Sequence, residues 1–245
     1  MKHLTWNQSL KKKFKFTLLF ISVFLITGFS MHAQNSLYYG VKFGTTVSQF
    51  TNEQPHTNTL QGLTGGFFVG YKLNEKMAVL AEINYLEEGG QLLSFETEAD
   101  LGYDTWYFAK ADNQQLSLHN INIPIMFKYS IPLGSAKVFA VIGADVSINV
   151  YSDIEHETTV YADDGNIITY NGTEDVTSKI ERYTVGATGG IGFEIPVFTK
   201  NYILIDARYR YGIMPAYKGY SYRGIPQITG DLRNNSMYFT IGFGF

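Results

Sequence analysis

Apolar side chains recur at every second position along most of this chain, the period of a strand with two unlike faces. Val41, Phe43, Thr45 and Val47 alternate with Gly40, Lys42, Gly44 and Thr46. Phe67, Val69, Tyr71 and Leu73 alternate with Phe68, Gly70 and Lys72. Met77, Val79, Ala81, Ile83 and Tyr85 alternate with Leu80, Glu82 and Asn84. A fourth stretch sets Ile121, Ile123, Ile125, Phe127 and Tyr129 against Asn122, Pro124, Met126 and Lys128. A fifth sets Val138, Ala140, Ile142, Ala144, Val146 and Ile148 against Gly143, Asp145 and Ser147. Tyr183, Val185, Ala187, Ile191 and Phe193 oppose Thr184, Gly186, Thr188 and Glu194 in a sixth. Ile203, Ile205, Ala207, Tyr209 and Tyr211 oppose Asp206, Arg208 and Arg210 in a seventh. The eighth is the C-terminal stretch, where Met237, Phe239, Ile241, Phe243 and Phe245 share one face.

Such alternation also fits a soluble β-sandwich with one buried face per sheet. Three features favour a barrel instead. The apolar faces run for about ten residues, the length of a tilted membrane-crossing strand. The opposite faces carry glycines and full charges, which suits a tight polar lumen. Connections alternate in length, short at 74–76, 132–136 and 196–201, long at 48–61, 88–117, 152–180 and 214–235. Short periplasmic turns with long outer loops are the outer-membrane pattern, and closure leaves no unpaired edge in lipid. The expected fold is all-β: an eight-stranded antiparallel up-and-down transmembrane β-barrel. Both termini would be periplasmic, and the last strand would pair with the first.

The front of the chain adds a location. Lys11, Lys12, Lys13 and Lys15 precede an apolar run from Phe16 to Phe29, and a short polar segment ends at Ala33. That is the layout of a cleavable export signal, too short to span a bilayer comfortably. Residues 1–33 are therefore read as the signal peptide and 34–245 as the barrel domain. Removing 1–33 takes five lysines and no acid, so the formal charge moves from −3 to −8. Nucleic acid is an unsuited partner for such a surface. The chain has no cysteine, which excludes disulfides, cysteine-ligated metal and lipid attachment through cysteine. No cofactor is expected.

The blocks "GVKFGTTVSQF", "FFVGYKLNEKMAVLAEINYLEEGG", "NINIPIMFKYSI", "VFAVIGADVSINV", "GATGGIGFEI", "ILIDARYRYGI" and "RNNSMYFTIGFGF" resemble, in order, those of the PorT-like outer-membrane β-barrel family of Bacteroidetes. The resemblance covers roughly 37–245. It implies an integral protein of the Gram-negative outer membrane, in contact with its lipid and delivered by the barrel-assembly machinery. Phe239, Ile241, Phe243 and Phe245 resemble the C-terminal signal which that machinery reads. One namesake of the family is linked to the type IX secretion system, so an accessory role in secretion stands as an alternative.

The best-defined constellation is the set of inward charges. Lys42, Lys72, Lys128, Arg208 and Arg210 face Glu82, Asp145, Glu194 and Asp206. Near-balance suggests interlocking ion pairs, because a buried charge without a partner is costly. A packed polar plug is the leading reading and a gated ion path the alternative. Asp145 or Glu194 is the expected partner of Arg208. Catalysis has little support: Ser117 and His119 share a strand rim, but a hydrolase also needs an orienting acid and an oxyanion site. A lipid-modifying enzyme is retained as the competing class. Tyr103, Trp106, Tyr107 and Phe108 gather in the loop expected over 88–117, which also contains Gln114. They mark either a partner-binding patch or a cover over the barrel mouth. "VYADDGNIITY" reads as a hairpin turning at Asp164-Gly165. Asp163, Asp164 and Asn166 miss the spacing of a calcium loop. The leading function is a structural, surface-interaction or assembly-partner role with no catalysis, served by an envelope or extracellular protein partner.

Overall fold

The computed structural model describes residues 36–51, 58–92, 95–100, 106–161, 167–198, 201–216, 220–222, 225–228 and 232–245. The signal expected over 1–33, the Asp164-Gly165 turn and Tyr103 lie outside these residues. Twelve strands are described, β1 (Leu37–Thr51), β2 (Leu60–Lys72), β3 (Met77–Leu92), β4 (Phe95–Asp100), β5 (Trp106–Leu133) and β6 (Ala136–Tyr161) in the first part of the chain. β7 (Ile167–Asp175), β8 (Tyr183–Pro196), β9 (Tyr202–Gly212), β10 (Tyr220–Tyr222), β11 (Ile225–Ile228) and β12 (Arg233–Gly244) follow.

Eight of them form a closed antiparallel ring in the order β1, β2, β3, β5, β6, β8, β9, β12. The seam joins the chain's two ends, from Gly40 opposite Gly244 to Thr51 opposite Arg233. β12 supplies the edge that β1 needs. Side chains alternate across the wall as a period of two requires. Phe43, Ile83, Ile125, Ile142, Ile191, Ile205 and Phe239 are exposed on the outside, while Lys42, Glu82, Asp145, Asp206, Arg208 and Arg210 are buried inside. An apolar exterior around an ionic interior is the reverse of a water-soluble protein, and it suits hydrocarbon.

Tight turns close one end. Asn74 Oδ1 accepts the N–H groups of Lys76 and Met77, both at 2.9 Å, and so folds the β2–β3 connection on itself. Between β5 and β6 only Gly134 and Ser135 intervene, and Gly134 has φ +63°, a conformation that side chains with a Cβ resist.

At the opposite end the hairpin expected at "VYADDGNIITY" is present, and the strand extends further than the long connections implied. Residues 88–117 and 152–180 are mostly strand. β4 continues the line of β3 along β5, from Phe95 opposite Ala111 to Asp100 opposite Trp106. β7 folds back on β6, from Tyr161 opposite Ile167 to Asp153 opposite Asp175. With the 28 residues of β5 and 26 of β6, these make a four-stranded sheet, β4–β5–β6–β7, that stands beyond the ring.

Candidate functional site

The interior is layered from one end to the other. Nearest the short turns, Tyr38, Phe68, Ala78, Leu80, Met126, Phe139, Val141 and Leu204 form an apolar cluster. Nearest the long strands, Phe50, Leu116, Leu118, Val176, Ile180, Ala216 and Leu232 form a second. The order along β1 shows what lies between: Tyr38 belongs to the first layer, Lys42 to an ionic centre, and Phe50 to the second layer.

Two arginines on β9 organise the centre. Arg208 donates from Nη1 to Glu82 Oε2 at 2.9 Å and from Nη2 to Asp206 Oδ2 at 2.7 Å. Lys42 Nζ lies 2.5 Å from the same Glu82 oxygen. The Thr240 hydroxyl donates to Asp206 Oδ1 at 2.7 Å, and the Asn84 amide to Glu82 at 2.9 Å. Arg210 donates from Nε to Asp145 Oδ1 at 2.7 Å and from Nη1 to Glu88 Oε1 at 3.3 Å. Asp145 also accepts from Asn122 at 2.9 Å and Thr188 at 2.7 Å. Charged donors on ionised acceptors make these the strong class of hydrogen bond. β8 makes room for them. A Cβ on Gly186 would come within 2.9 Å of the Asp145 carboxylate, and one on Gly190 within 2.6 Å of Arg208 Cγ.

Three features differ from the sequence reading. Arg208 pairs with Glu82 and Asp206, whereas Asp145 pairs with Arg210 and Glu194 with Lys128. Tilted strands bring residues of non-neighbouring strands together across a narrow lumen, so strand adjacency was a poor guide. Lys72 is exposed at the last position of β2, with its ammonium 5.7 Å from the Tyr38 ring centre. It is a rim residue outside the buried set. Glu88 was assigned to a loop, yet it is buried and paired with Arg210. The signal that pointed to it is "EEGG" at 87–90. There the Gly89 N–H donates to Ser48 Oγ at 2.8 Å and its carbonyl accepts from Asn234 at 3.0 Å.

At the short-turn end Lys128 is held by Glu194 and by aromatic faces, with its ammonium 4.4 Å from the Phe139 ring centre and 5.2 Å from Tyr38. Tyr38 fits only because position 70 is glycine: a Cβ there would lie 2.1 Å from Tyr38 Cζ. Gly70→Val should therefore displace the ring and cost about 1–3 kcal/mol, the range for overpacking. The check is the urea midpoint of the electrophoretic mobility shift of unheated samples. In planar bilayers the wild-type barrel should show no steady porin-sized conductance, and a stable open pore would refute a sealed lumen.

Outside the lumen, His119 is stacked between Tyr85 and Tyr151, at centroid distances of 6.1 and 5.5 Å. Its Nδ1 meets the Tyr85 hydroxyl at 2.6 Å and its Nε2 meets Asp153 at 3.2 Å. Both ring nitrogens are thus engaged by groups other than Ser117, which is itself buried. Hydrogen bonds from the Thr177 hydroxyl and N–H hold the Asp175 carboxyl below the usual carboxylate range. Trp106, Tyr107 and Phe108 belong to the opening of β5, in register with Asp100, Ala99 and Glu98 of β4. Phe239, Ile241 and Phe243 face Thr45, Phe43 and Val41 across the seam, and Phe245 stacks on Tyr39 at 5.5 Å.

The chain has recognisable relatives by fold. Neisserial surface protein A is 12% identical, with 85% of this chain and 95% of that one covered and a TM-score of 0.43. The outer membrane protein OprG from Pseudomonas aeruginosa is 10% identical, with 85% and 94% covered and a TM-score of 0.45. The outer membrane protease OmpT from Escherichia coli is 10% identical, with 86% and 96% covered and a TM-score of 0.33. Likeness at this level carries nothing about activity. No curated protein matches the chain. The sequence profile of the outer membrane protein beta-barrel domain matches residues 32–218, most of the ring described above. The chain belongs to the outer membrane protein beta-barrel domain family.

Proposed function

We propose that this protein is a non-catalytic, PorT-like barrel of the outer membrane that presents the β4–β5–β6–β7 sheet to a partner outside the cell. Residues 1–33 would be removed on export, and both termini would face the periplasm. An even number of ring strands supports that orientation, since it returns the chain to the end where it began. The observation that carries the reading is the length of β5 and β6, which run well past what ring closure uses. Function in such proteins concentrates on what a rigid scaffold holds out.

The sheet's charge suggests the partner's chemistry. Asp153, Glu155 and Glu157 alternate along β6, and Asp175 lies opposite Asp153. Like charges directly opposite each other oppose pairing, so this face is better suited to a cationic or divalent-bridged surface. Docking of that kind weakens with salt, because exposed charges are screened beyond about 10 Å at 0.1 M.

Deleting 95–111 removes β4 and the β5 residues that pair with it. Cross-linking on intact cells should then lose the partner band that wild type captures at low salt, while the mobility shift of the folded barrel persists. An unchanged cross-linking profile defeats the proposal. Mass spectra of outer-membrane lipid from a deletion strain should match wild type; altered acylation or headgroups would establish the lipid-modifying alternative instead.

A further inference from the structure

The charges at the centre do not sum to zero, and the imbalance can be traced to one residue. Among the described residues Lys42, Arg208 and Arg210 face Glu82, Asp206, Asp145 and Glu88, while Lys128 and Glu194 balance each other at the short-turn end. Lys42 and Arg208 together serve Glu82 and Asp206. Arg210 alone serves both Asp145 and Glu88. Asp145 is saturated by three donors at 2.7 to 2.9 Å. Glu88 is not: Oε1 takes Asn120 at 2.9 Å and a long contact from Arg210 at 3.3 Å, and beside Oε2, which no charged donor meets, stands only the neutral Ser236 hydroxyl.

Glu88 borders a cavity. Glu88, Asn120, Glu181, Thr184, Arg210 and Asn234 line it beneath the apolar layer of Ile180 and Ala216. Its room is on the order of one water molecule. Asn234 Oδ1 is a buried oxygen there with no protein partner. Both side chains are at most 2% exposed. Both oxygens are acceptors, and the group they belong to carries one negative charge in excess. A water would satisfy the acceptors and leave the charge; burial of an uncompensated charge is the costly part.

We propose that this cavity binds one small monovalent cation of the alkali-metal class, held by the Glu88 carboxylate and the Asn234 amide oxygen. The alternation of β3 sets the geometry: Glu82, Asn84, Leu86 and Glu88 all fall on its buried face. The Gly89 carbonyl takes an amide hydrogen of Asn234, so that the amide oxygen is left to the ion. Arg210 limits the site to a single positive charge and disfavours a divalent ion.

The test is sodium binding to the full-length barrel extracted in detergent, followed with radioactive sodium at fixed pH and fixed ionic strength. N-methylglucamine, too large for the cavity, serves as the replacement cation. Wild type should bind about one sodium per chain. Glu88→Gln should weaken binding about ten- to hundredfold, the factor for losing a charged interaction. Asn234→Ala should weaken it about two- to tenfold, as for a neutral one. If Glu88→Gln fails to fold, the Asn234→Ala result decides. No saturable sodium binding by wild type, with pH alone affecting stability, would assign the charge to a proton on Glu88 and overturn the proposal. Unchanged affinity in either folded variant overturns it as well.

Discussion

Arg208→Ala should lower the stability of the folded barrel by about 3–5 kcal/mol, the cost of leaving a buried charge uncompensated. The guanidinium is 2% exposed and reaches both Glu82 and Asp206. Its loss affects them unequally. Glu82 keeps Lys42 at 2.5 Å, whereas Asp206 keeps only the neutral Thr240 hydroxyl at 2.7 Å. Most of the penalty should therefore sit on Asp206, and adding Asp206→Asn to Arg208→Ala should recover a substantial part of it. Urea titrations of the mobility shift in lipid vesicles measure both. A single variant as stable as wild type would mean that the lumen hydrates freely and the network is in contact with water. A double variant no better than the single would place the penalty on Glu82.

Arginine at Ile123, Ile142 or Ile205 should cost about 2–4 kcal/mol each, the range for a cation near the centre of the lipid-facing wall. All three project outward, and Ile142 is 69% exposed. That exposure would be innocuous in water and is the reason for the penalty in hydrocarbon. The comparison position must lie beyond the ring, and Gln114 does not qualify, because it is buried opposite Leu92 on β5. Thr173 on β7 is exposed in the outer sheet, and arginine there should cost less than 0.5 kcal/mol, as most surface changes do. Equal tolerance at Ile142 and Thr173, read from the same titrations, would contradict a lipid-facing wall.

The wall was legible because lipid and lumen demand different side chains at every second residue. Ile123, Ile125 and Phe127 outside Asn122, Met126 and Lys128 is a pattern that only one register satisfies. The seam was legible for the same reason, since Phe239, Ile241 and Phe243 had to face the same way as Val41 and Phe43. What escaped were features set by distance across the barrel. The partners of Arg208 depend on how far the strands slide past one another, and a period of two carries no information about that slide. Glu88 escaped because Gly89 and Gly90 leave the alternation without an apolar residue just beyond it, although it falls on the same buried face as Glu82, Asn84 and Leu86. Of the outer sheet, the β6–β7 hairpin was legible in the turn read between Tyr161 and Ile167, whereas β4 escaped because a strand clear of lipid needs no apolar face.

The uninterrupted course of β5 and β6 has a mechanical consequence. Their ladder runs from the short turn at Leu133 opposite Ala136 out to Phe108 opposite Tyr161, with two register shifts on the way. At about 3.4 Å per residue, the part of β5 from 106 to 117 reaches roughly 40 Å beyond its membrane-crossing part. The ladder resumes beyond each shift, so the sheet keeps a set direction relative to the tilted wall, with a local bend at each bulge. A body attached at the tip would lean over the membrane at a set angle. Tension on it would load many hydrogen bonds of the ladder at once in shear, where a flexible loop would let them peel apart singly. The same two strands that close the barrel would then serve as its tether.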